Sequence, residues 1–251
     1  MSVKKIIYHI GDFFWGHGFE KKINDLLKKR KKLVIFDVGC YRGFFTKNIL
    51  KVLGQKKYKF YLFDVNKNVK KYISDLIKVK NINYNEVAIS DKNGKADYYF
   101  NRFYEPAGSS LSKIIKNDTK WNFSRRLLLK TLLLNSDGFI KYKVPTITLD
   151  NFLKKNKINY VDVLKIDIEG AEFNLLKGAT KTLAKNKIHI LLIEIVGKKE
   201  IFEKKEKKII NFLEKRHFTL IQKANIFSIS LFSNLKGGDY LLVNKKYDFK
   251  R

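Results

Sequence analysis

Short apolar runs alternate with longer amphipathic stretches along most of this chain. Residues 33–38 and 60–65 are largely apolar runs that predict buried strands. Between them, residues 44–53 carry apolar side chains at helical spacing, and Gly54 follows as a helix-ending signal. Because strand and helix patterns take turns, we expect a mostly parallel sheet with helices packed on it, as in α/β proteins.

The same alternation continues toward the carboxyl terminus. A helix is predicted at about 68–79, and a strand at 82–89, a turn at 91–94 and a strand at 96–100 together suggest a hairpin. The later predicted elements are a helix near 149–156, a strand at 161–166, a helix at 171–183, a strand at 188–195, a helix at 200–215 and strands near 218–222 and 240–243. We therefore expect about seven strands.

Two segments depart from this alternation. Residues 101–143 contain Pro106, Gly108 and a basic, leucine-rich stretch, and we interpret them as an insertion or lid with one helix. Residues 1–30 predict an N-terminal helical extension, whose apolar side chains could pack on the core or touch a membrane surface, with packing favoured. Residues 31–251 would then form the main domain.

The composition indicates a folded protein in a reducing compartment. Of 251 residues, 45% are hydrophobic and 14% aromatic, which is enough to bury a core and excludes wholesale disorder. The single cysteine, Cys40, excludes an internal disulfide framework and a multi-cysteine metal site. No apolar stretch approaches the ~20 residues of a membrane span, and the amino terminus lacks the features of a signal peptide. We therefore expect a cytoplasmic protein.

The chain is strongly basic, with 53 Lys and Arg against 24 Asp and Glu and a formal net charge of +29. Such a charge could attract nucleic acid or an anionic membrane surface. Lysine is spread over nearly every predicted helix, and no single motif gathers it. We therefore favour a solvated lysine surface, do not expect nucleic acid as a partner and leave peripheral membrane contact open.

The loop after the first predicted strand has the features of a ligand-binding turn. It runs Asp37-Val-Gly39-Cys-Tyr-Arg-Gly43-Phe44 and leads into a predicted helix. Glycines let the backbone approach a ligand, and the helix start offers unpaired N–H groups. The G-x-x-x-G spacing differs from the dinucleotide fingerprint, and the acid before the first glycine would repel a pyrophosphate but pair with an ammonium group. A nicotinamide-dependent oxidoreductase is therefore disfavoured.

A second acid follows the second predicted strand, in Phe63-Asp64-Val65-Asn66. In sheets that bind nucleosides, an acid at this place accepts hydrogen bonds from the ribose hydroxyls. The two signals, on consecutive strands and in this order, point to an adenosine that carries a cationic group other than phosphate.

With these segments in place, the chain resembles the FkbM family of S-adenosylmethionine-dependent methyltransferases from about Leu33 to Lys245. The most specific segment is Leu164-Lys-Ile-Asp-Ile-Glu-Gly-Ala-Glu172. The other matching segments are Phe36–Gly43, Phe63–Asn66, Glu86–Gly94, Ser109–Ser112, Val144–Asp150, Leu176–Ala179 and Asp239–Val243. The resemblance implies a Rossmann-like class I methyltransferase fold, with a seven-stranded, mostly parallel sheet and helices on both faces.

The resemblance also implies how the cofactor S-adenosylmethionine would bind. Asp64, followed by Val65, would bind the ribose, and the glycine loop would line the methionine end. The loop residues are Asp37, Gly39, Cys40, Tyr41, Gly43 and Phe44. The residues along the adenine, on the third strand, would be Glu86, Val87 and Ala88. The chain departs from the family's usual pattern at Tyr41, where Asn is common, and at Asp64–Val65, where Glu-Pro is common.

Acidic residues at the ends of two later strands are the candidate catalytic groups. Asp167 and Glu169 follow the strand at 161–166, beside the position where the methyl group would be presented. Methyl transfer to a hydroxyl needs in-line positioning and a base near the proton, and either carboxylate could serve. Alternatively, Glu169 caps the next helix while Asp167 holds the cofactor's amino group. Glu194, which ends the next strand, is a further candidate for base or substrate binding, and Lys165 would pair with a neighbouring acid.

The predicted function is therefore S-adenosylmethionine-dependent O-methylation of a hydroxyl on a sugar, glycan or related small molecule, an acceptor class that the family resemblance implies. A cation bridging Asp167 and Glu194 is conceivable, but no dense carboxylate cluster demands a metal, so none is predicted. Arg125 and Arg126, in the predicted lid, could grip an acidic acceptor. The alternative is a basic RNA- or membrane-surface-binding module on a degenerate methyltransferase fold.

Overall fold

The computed structural model describes residues 18–101, 109–112, 139–225 and 235–249. More than half of the predicted N-terminal extension lies outside the described residues, and so does most of the predicted lid, with Arg125 and Arg126. The described residues form a seven-stranded sheet, a small three-stranded sheet and the helices that accompany them.

The secondary-structure elements are labelled in chain order. The helices are α1 (Phe19–Leu26), α2 (Phe44–Leu53), α3 (Val69–Tyr72), α4 (Leu149–Lys155), α5 (Glu172–Gly178), α6 (Thr180–Ala184) and α7 (Phe202–Glu214), with a 3₁₀ turn at Leu76–Lys78. The strands are β1 (Lys32–Val38), β2 (Lys57–Phe63), β3 (Ile82–Asn85), β4 (Ala88–Ile89), β5 (Gly94–Asn101), β6 (Phe139–Ile147), β7 (Val161–Ile166), β8 (Ile188–Lys198), β9 (Phe218–Asn225) and β10 (Leu235–Asn244).

The large sheet has the strand order β3-β2-β1-β7-β8-β10-β9. Its first five strands are parallel, whereas β10 runs antiparallel to both β8 and β9. The order reverses at β1, so the carboxyl ends of β1 and β7 border the switch point where ligands of such sheets bind. The predicted seven-stranded, mostly parallel sheet is confirmed.

Buried apolar side chains cover both faces of the large sheet. Along β1, Phe36 and Val38 belong to one buried cluster, whereas Leu33 and Ile35 belong to the other. The first cluster includes side chains of α4, α5 and α7, and the second includes those of α1 and α2. Because successive side chains point to opposite faces, a strand covered on both faces is apolar at nearly every position. This is why β1 is recognisable as an apolar run.

The predicted hairpin between residues 82–89 and 96–100 is wrong. The segment 82–89 divides, so that β3 joins the large sheet beside β2 and β4 joins the small sheet beside β6. β5 pairs antiparallel with β6 over its whole length, and β6 therefore lies between β4 and β5. β4 pairs with β6 only at Thr146 and Ile147. Residues 139–143, predicted as part of the insertion or lid, belong to β6, so that the predicted lid extends too far toward the carboxyl terminus. A local pattern could not reveal a partner so distant in the chain.

Two predicted helices are interrupted. Residues 68–79 form only the short α3 and a 3₁₀ turn, and residues 171–183 divide into α5 and α6. The second break has a visible cause, because the Asp150 carboxylate accepts hydrogen bonds from the backbone N–H groups of Lys181 and Thr182. This side chain binds the start of α6 as a helix cap does. The other predicted helices correspond to α2, α4 and α7.

A buried acid joins the amino ends of β1, β7 and β8. Asp162 accepts a hydrogen bond from the backbone N–H of Val34 at 2.7 Å, and one of its oxygens lies 3.1 Å from both the Arg30 guanidinium and His189 Nδ1. The ring of His189 also stacks on that of Tyr247, with 3.6 Å between centroids. The cluster ties the segment before β1 and the segment after β10 to the sheet.

Candidate active site

The candidate site lies at the carboxyl ends of β1, β2, β7 and β8. In the register of β1 and β7, Asp37 lies opposite Lys165, and the backbone N–H of Asp167 donates to the carbonyl oxygen of Val38 at 2.9 Å. This pairing holds the ends of the two strands side by side at the switch point. Asp37 and Asp167, predicted separately from the sequence, therefore lie together.

The loop after β1 turns tightly against β7 and β2. Gly39 has a φ of +80°, and a Cβ atom there would lie 1.7 Å from the backbone oxygen of Asp167. Any other residue would force one of the two segments to move. The backbone N–H groups of Gly39 and Cys40 both donate to the carbonyl oxygen of Phe63, at 2.9 and 3.1 Å. The protein's own backbone thus fixes the loop to the ends of two strands.

The far end of the loop leads into α2. The N–H of Gly43 donates to the carbonyl oxygen of Cys40 at 2.7 Å and closes the turn. Cys40 is buried, and burial raises the pKa of its thiol well above the usual value. The ring of Tyr41 packs edge-on against that of Phe44, with 6.0 Å between centroids. Of these predicted residues, Cys40 could meet a ligand only through its backbone, whereas Tyr41 and Phe44 could offer their rings.

Asp64 follows β2 directly and receives two backbone hydrogen bonds. One carboxylate oxygen accepts the N–H of Tyr41 at 3.1 Å, and the other accepts the N–H of Asn66 at 3.0 Å. A carboxylate offers about four acceptor positions, so Asp64 retains acceptor capacity for the hydroxyl groups of a ligand. Burial raises the pKa of Asp64 to about 6, against the lowering effect of the backbone hydrogen bonds. The group is therefore mostly ionised at neutral pH.

A buried lysine lies between two of the predicted acids. The Lys165 ammonium contacts Asp167 Oδ2 at 3.0 Å and Asp37 Oδ1 at 3.5 Å. The hydroxyl of Thr46 donates to the other Asp37 oxygen at 2.7 Å. Burial alone would lower the pKa of Lys165, but the two carboxylates raise it above its usual value. Burial also raises the pKa of Asp37, and Lys165 and Thr46 oppose that rise. The predicted pairing of Lys165 with a neighbouring acid is confirmed.

Glu194 and Asp239 form a second acidic pair beside Asp167. They lie opposite each other in the register of β8 and β10, and the side chains of Glu194 and Asp167 share a hydrogen bond. Burial raises the pKa of Glu194 well above its usual value, and the charges of Asp167 and Asp239 raise it further. Burial and Asp167 likewise raise the pKa of Asp239 to about 7. A hydrogen bond between two carboxyl groups requires a proton on one of them, and the raised pKa of Glu194 favours Glu194 as the group that holds this proton.

Glu194 and Asp239 line a small cleft. The cleft is bounded by α1, α2 and the strands β7, β8 and β10, and its lining residues are Phe19, Glu20, Phe44, Phe45, Asn48, Lys165, Ile166, Leu192, Glu194 and Asp239. The prediction that Glu194 ends its strand is wrong, because β8 continues to Lys198. Aromatic rings and carboxylates in one cleft suit a ligand that is apolar on one face and bears hydroxyl groups. Asp239 was missed as a site residue. The only signal for it is an acid in the last matching segment, and its place emerges only when β10 pairs with β8.

The loop after β7 is bound by the side chain of Glu172. The backbone N–H of Gly170 donates to the Glu172 carboxylate, which pairs with the Lys205 ammonium at 2.7 Å. Helix α5 begins at Glu172 with Ala171 as its N-cap, so the helix starts one residue later than the predicted start at 171. Glu169, half-buried with a φ of +52°, lies in the loop just after β7, two residues beyond Asp167.

The three residues predicted to lie along the adenine do not share one strand. β3 ends at Asn85, so the placement of all three on the third strand is wrong. Glu86 is exposed and pairs with Lys70 at 2.7 Å, whereas Val87 and Ala88 are half-buried and Ala88 begins β4. Val65, which follows Asp64, is buried in a small apolar cluster with side chains of the three-stranded sheet.

Contacts from distant segments support this edge, and no local pattern signals them. The Tyr84 hydroxyl donates to the backbone oxygen of Asp64 at 3.1 Å. Burial, and then the nearby charge of Asp64, raises the pKa of Tyr98 well above its usual value. The hydroxyl of Ser110 donates to the backbone oxygen of Ile168 at 2.9 Å and so ties the small sheet to the loop after β7.

Two further properties bear on function. In the part of the chain that the structure describes, no three His, Cys, Asp or Glu side chains converge as a metal-binding group would. Among the helices of that same part, none combines the length and the apolar composition that a membrane span requires.

Comparison with known proteins places this geometry in a family. The methyltransferase FkbM domain matches residues 37–220. The 2-O-methyltransferase NoeI of Sinorhizobium fredii (strain NBRC 101917 / NGR234) is 24% identical over 172 residues, which are 66% of this chain and 65% of NoeI. The crystal structure of methyltransferase FkbM from Methylobacillus flagellatus KT superposes with a TM-score of 0.50 and 10% identity, covering 84% of this chain and 44% of that one, and shows a shared fold. Because the domain match runs from the glycine loop to β9 and takes in most of the chain, this protein belongs to the FkbM methyltransferase family.

Proposed function

We propose that this methyltransferase takes its methyl group from S-adenosylmethionine and transfers it to a hydroxyl of a sugar, glycan or related small molecule. The observation that carries the proposal is the position of Asp64, with acceptor capacity left for a ligand, next to the tight glycine loop at the switch point. Asp64 can accept hydrogen bonds from ribose hydroxyls, which supports a nucleoside ligand. The neighbouring loop lacks the glycine fingerprint of pyrophosphate-binding sites, which supports a ligand without a phosphate chain.

The residues of the glycine loop fit the methionine end of that ligand. Asp37 Oδ1 is buried and makes no hydrogen bond within the described residues, while the Lys165 ammonium lies 3.5 Å from it. This oxygen has an acceptor position for a cationic amino group, and the backbone at Gly39 allows close approach. When bound, S-adenosylmethionine supplies an electrophilic methyl group on a sulfonium centre. Tyr41 and Phe44 would cover it on the side of α2, and Val87 and Ala88 would flank the adenine.

A carboxylate after β7 would take the proton of the acceptor hydroxyl. Asp167 is already bound by the Lys165 ammonium and shares a hydrogen bond with Glu194, so Asp167 suits the orientation of the ligands. We assign the role of general base to Glu169, just beyond Asp167, where it would receive the hydroxyl proton as the oxygen attacks the methyl carbon. Glu194, which holds a proton, would position Asp167 and donate a hydrogen bond.

The acceptor class rests on the cleft and on one relative. Aromatic rings and carboxylates line the cleft together, which suits the apolar face and the hydroxyl edge of a sugar. NoeI is described as a 2-O-methyltransferase, which supports transfer to oxygen. We assign the activity to residues 31–251. We place the protein in the cytoplasm, because its one cysteine, Cys40, is buried and forms no disulfide, which suits a reducing compartment.

Titration calorimetry tests the cofactor assignment. Wild-type protein is titrated with S-adenosylmethionine, its demethylated product and NAD, and the titrations are repeated with Asp64→Ala. We expect binding of the first two ligands only, and a loss of about 100-fold in affinity in the variant, because two hydrogen bonds to a charged group disappear. The matched control is Asp75→Ala, which removes an acid whose side chain is 63% exposed and pairs with Lys47 on the surface; its affinity should equal that of wild type.

Outcomes of this titration separate the candidate functions. Binding of NAD, or no binding of S-adenosylmethionine to wild type, would contradict the proposal and favour a binding module on a degenerate methyltransferase fold. If the cofactor binds, turnover with glycan hydroxyls as acceptors tests the base. Glu169→Gln should then lower kcat by about 100-fold or more with unchanged cofactor affinity, and equal kcat in wild type and this variant would exclude Glu169 as the base.

A further inference from the structure

Basic side chains are concentrated at the edge of the large sheet opposite the candidate active site. This basic edge consists of the connections at the amino ends of the parallel strands and β9 and at the carboxyl end of β10, together with Lys32 and Lys57, which begin β1 and β2. The connections are residues 27–31, 54–56, 73–81, 156–160, 185–187, 215–217 and 245–249. They contain fourteen Lys and Arg and two acids, Asp75 and Asp248. The described connections at the opposite edge, residues 39–43, 64–68, 86–87, 167–171 and 199–201, contain three Lys and Arg and five acids.

Backbone hydrogen bonds hold these connections side by side. The N–H of Lys57 donates to the carbonyl oxygen of Lys31 at 3.0 Å, and the N–H of Lys245 donates to that of His217 at 2.7 Å. Neighbouring strands lie about 4.8 Å apart, so the seven strand ends extend over about 30 Å. The positive charge is therefore spread along a broad edge, and its arrangement depends on the fold, because the connections are far apart in the chain.

The basic edge also exposes apolar side chains. Lys31, Lys57, Lys80 and Lys245 are exposed, and each lies in or directly after a different connection. Before β3, Ile77 and Val79 alternate with lysines and each is 38% exposed. Apolar side chains among lysines can enter the headgroup region of a bilayer while the ammonium groups contact lipid phosphates.

We propose that the basic edge docks on the headgroups of an anionic lipid bilayer. A planar array of phosphates can meet strand ends spread over about 30 Å, and each lysine near such a leaflet contributes about fivefold in affinity. Single-stranded nucleic acid would require aromatic rings free to stack on bases, but Tyr247 of this edge stacks on His189 within the protein. The proposal is independent of the cofactor and acceptor assignments.

This docking would set the distance between the membrane and the candidate active site. β1 has seven residues between the basic edge and the glycine loop, a length of about 23 Å. The glycine loop would face away from the bilayer at about that height. The acceptor hydroxyl would then belong to a group that projects from the membrane or to a molecule in solution, and not to a lipid headgroup itself.

Vesicle co-sedimentation tests the docking. The full-length protein is mixed with phosphatidylcholine vesicles, and with vesicles that also contain phosphatidylglycerol, at about 0.1 M and about 0.5 M NaCl. We expect binding only to the anionic vesicles and its loss at high salt. The variant with Lys31, Lys57, Lys80 and Lys245 all changed to Glu should bind roughly 100-fold or more weakly, because four attractive charges become repulsive. Thermal unfolding of the variant shows whether it is folded.

A matched control separates position from net charge. The control variant changes Lys92, Lys95, Lys204 and Lys207 to Glu, which alters the net charge equally at exposed positions outside the basic edge. Its binding should stay within about fivefold of wild type, since charges more than a Debye length from the bilayer are screened. Equal losses in the two variants would overturn the proposal, and so would binding that salt does not weaken. A short RNA or DNA is also added to the vesicle-bound protein at the same salt. If it binds the protein more tightly and displaces it from the vesicles, the partner is nucleic acid instead.

Discussion

Replacing Gly39 with alanine tests the packing of the glycine loop against β7. Two separate costs apply at this position. A residue with a Cβ atom pays about 1–2 kcal/mol to adopt the left-handed conformation that the φ of +80° requires. In addition, the new Cβ would lie 1.7 Å from Asp167 O and 2.8 Å from Asp167 C, whereas ordinary contacts begin near 3.4 Å. The backbone of one segment must therefore move by more than 1 Å.

The size of the effect follows from these two costs. Overpacking in a well-packed region costs about 1–3 kcal/mol, so Gly39→Ala should lose about 2–5 kcal/mol of unfolding free energy. For a chain of this size, that corresponds to a fall of roughly 5–20 °C in Tm. The matched control is Gly18→Ala, because Gly18 has a similar φ of +71° and a Cβ atom there would meet none of the described residues within 4 Å. The control should lose only about 1–2 kcal/mol.

Thermal unfolding and calorimetric titration with S-adenosylmethionine measure the two variants side by side. If the loop moves to relieve the contact, Gly39→Ala loses cofactor affinity instead of stability, so the two readouts together capture the effect. A Gly39→Ala variant that matches Gly18→Ala in both Tm and affinity would refute the idea that close contact with Asp167 requires glycine in the loop.

Two further predictions concern buried charges. Asp64 has a pKa of about 6 and should bind ribose as a carboxylate, so cofactor affinity should fall as the pH drops through 6. Calorimetric titration at a series of pH values measures this fall. The Asp64→Asn variant should bind the cofactor more weakly, and a pH dependence that persists in this variant would exclude Asp64 as the titrating group. Lys165→Met leaves Asp37 and Asp167 buried without their cation, so it should cost about 3–5 kcal/mol in urea unfolding. The control Lys177→Met breaks a half-exposed pair with Asp91 and should cost under about 1 kcal/mol, and equal losses would contradict a central role for Lys165.

Local features of the fold are predictable from the sequence where neighbouring residues decide them. The apolar run at β1, the helical spacing of α2 and the stop at Gly54 describe one strand–helix unit, and the structure contains that unit with the predicted bounds nearly unchanged. The Gly39 loop and Asp64 are predictable in the same way, because each directly follows a strand. An acid or a glycine at a strand end lies at the ligand-binding edge whatever the remaining strands do.

Features that depend on pairing between distant segments are not predictable in this way. The pairing of β5 with β6 and the division of α5 from α6 by Asp150 both involve partners far along the chain. Glu194 was a candidate from its predicted place at a strand end, but its proton depends on Asp167 and on Asp239 in the antiparallel β10. The register of β8 and β10 brings these acids together, and no periodicity within either strand encodes that register.

By itself, the sequence determined the α/β class, the glycine loop and the acid after β2, because short-range patterns of burial and turn chemistry fix these. Only the tertiary structure decided how the charges are arranged. Along the chain, lysines are widely spread, but parallel strands gather every amino-end connection at one edge and every carboxyl-end connection at the other. The acids thus meet at the candidate active site and the lysines at the basic edge, because strand direction, and not local sequence, sets which connections become neighbours.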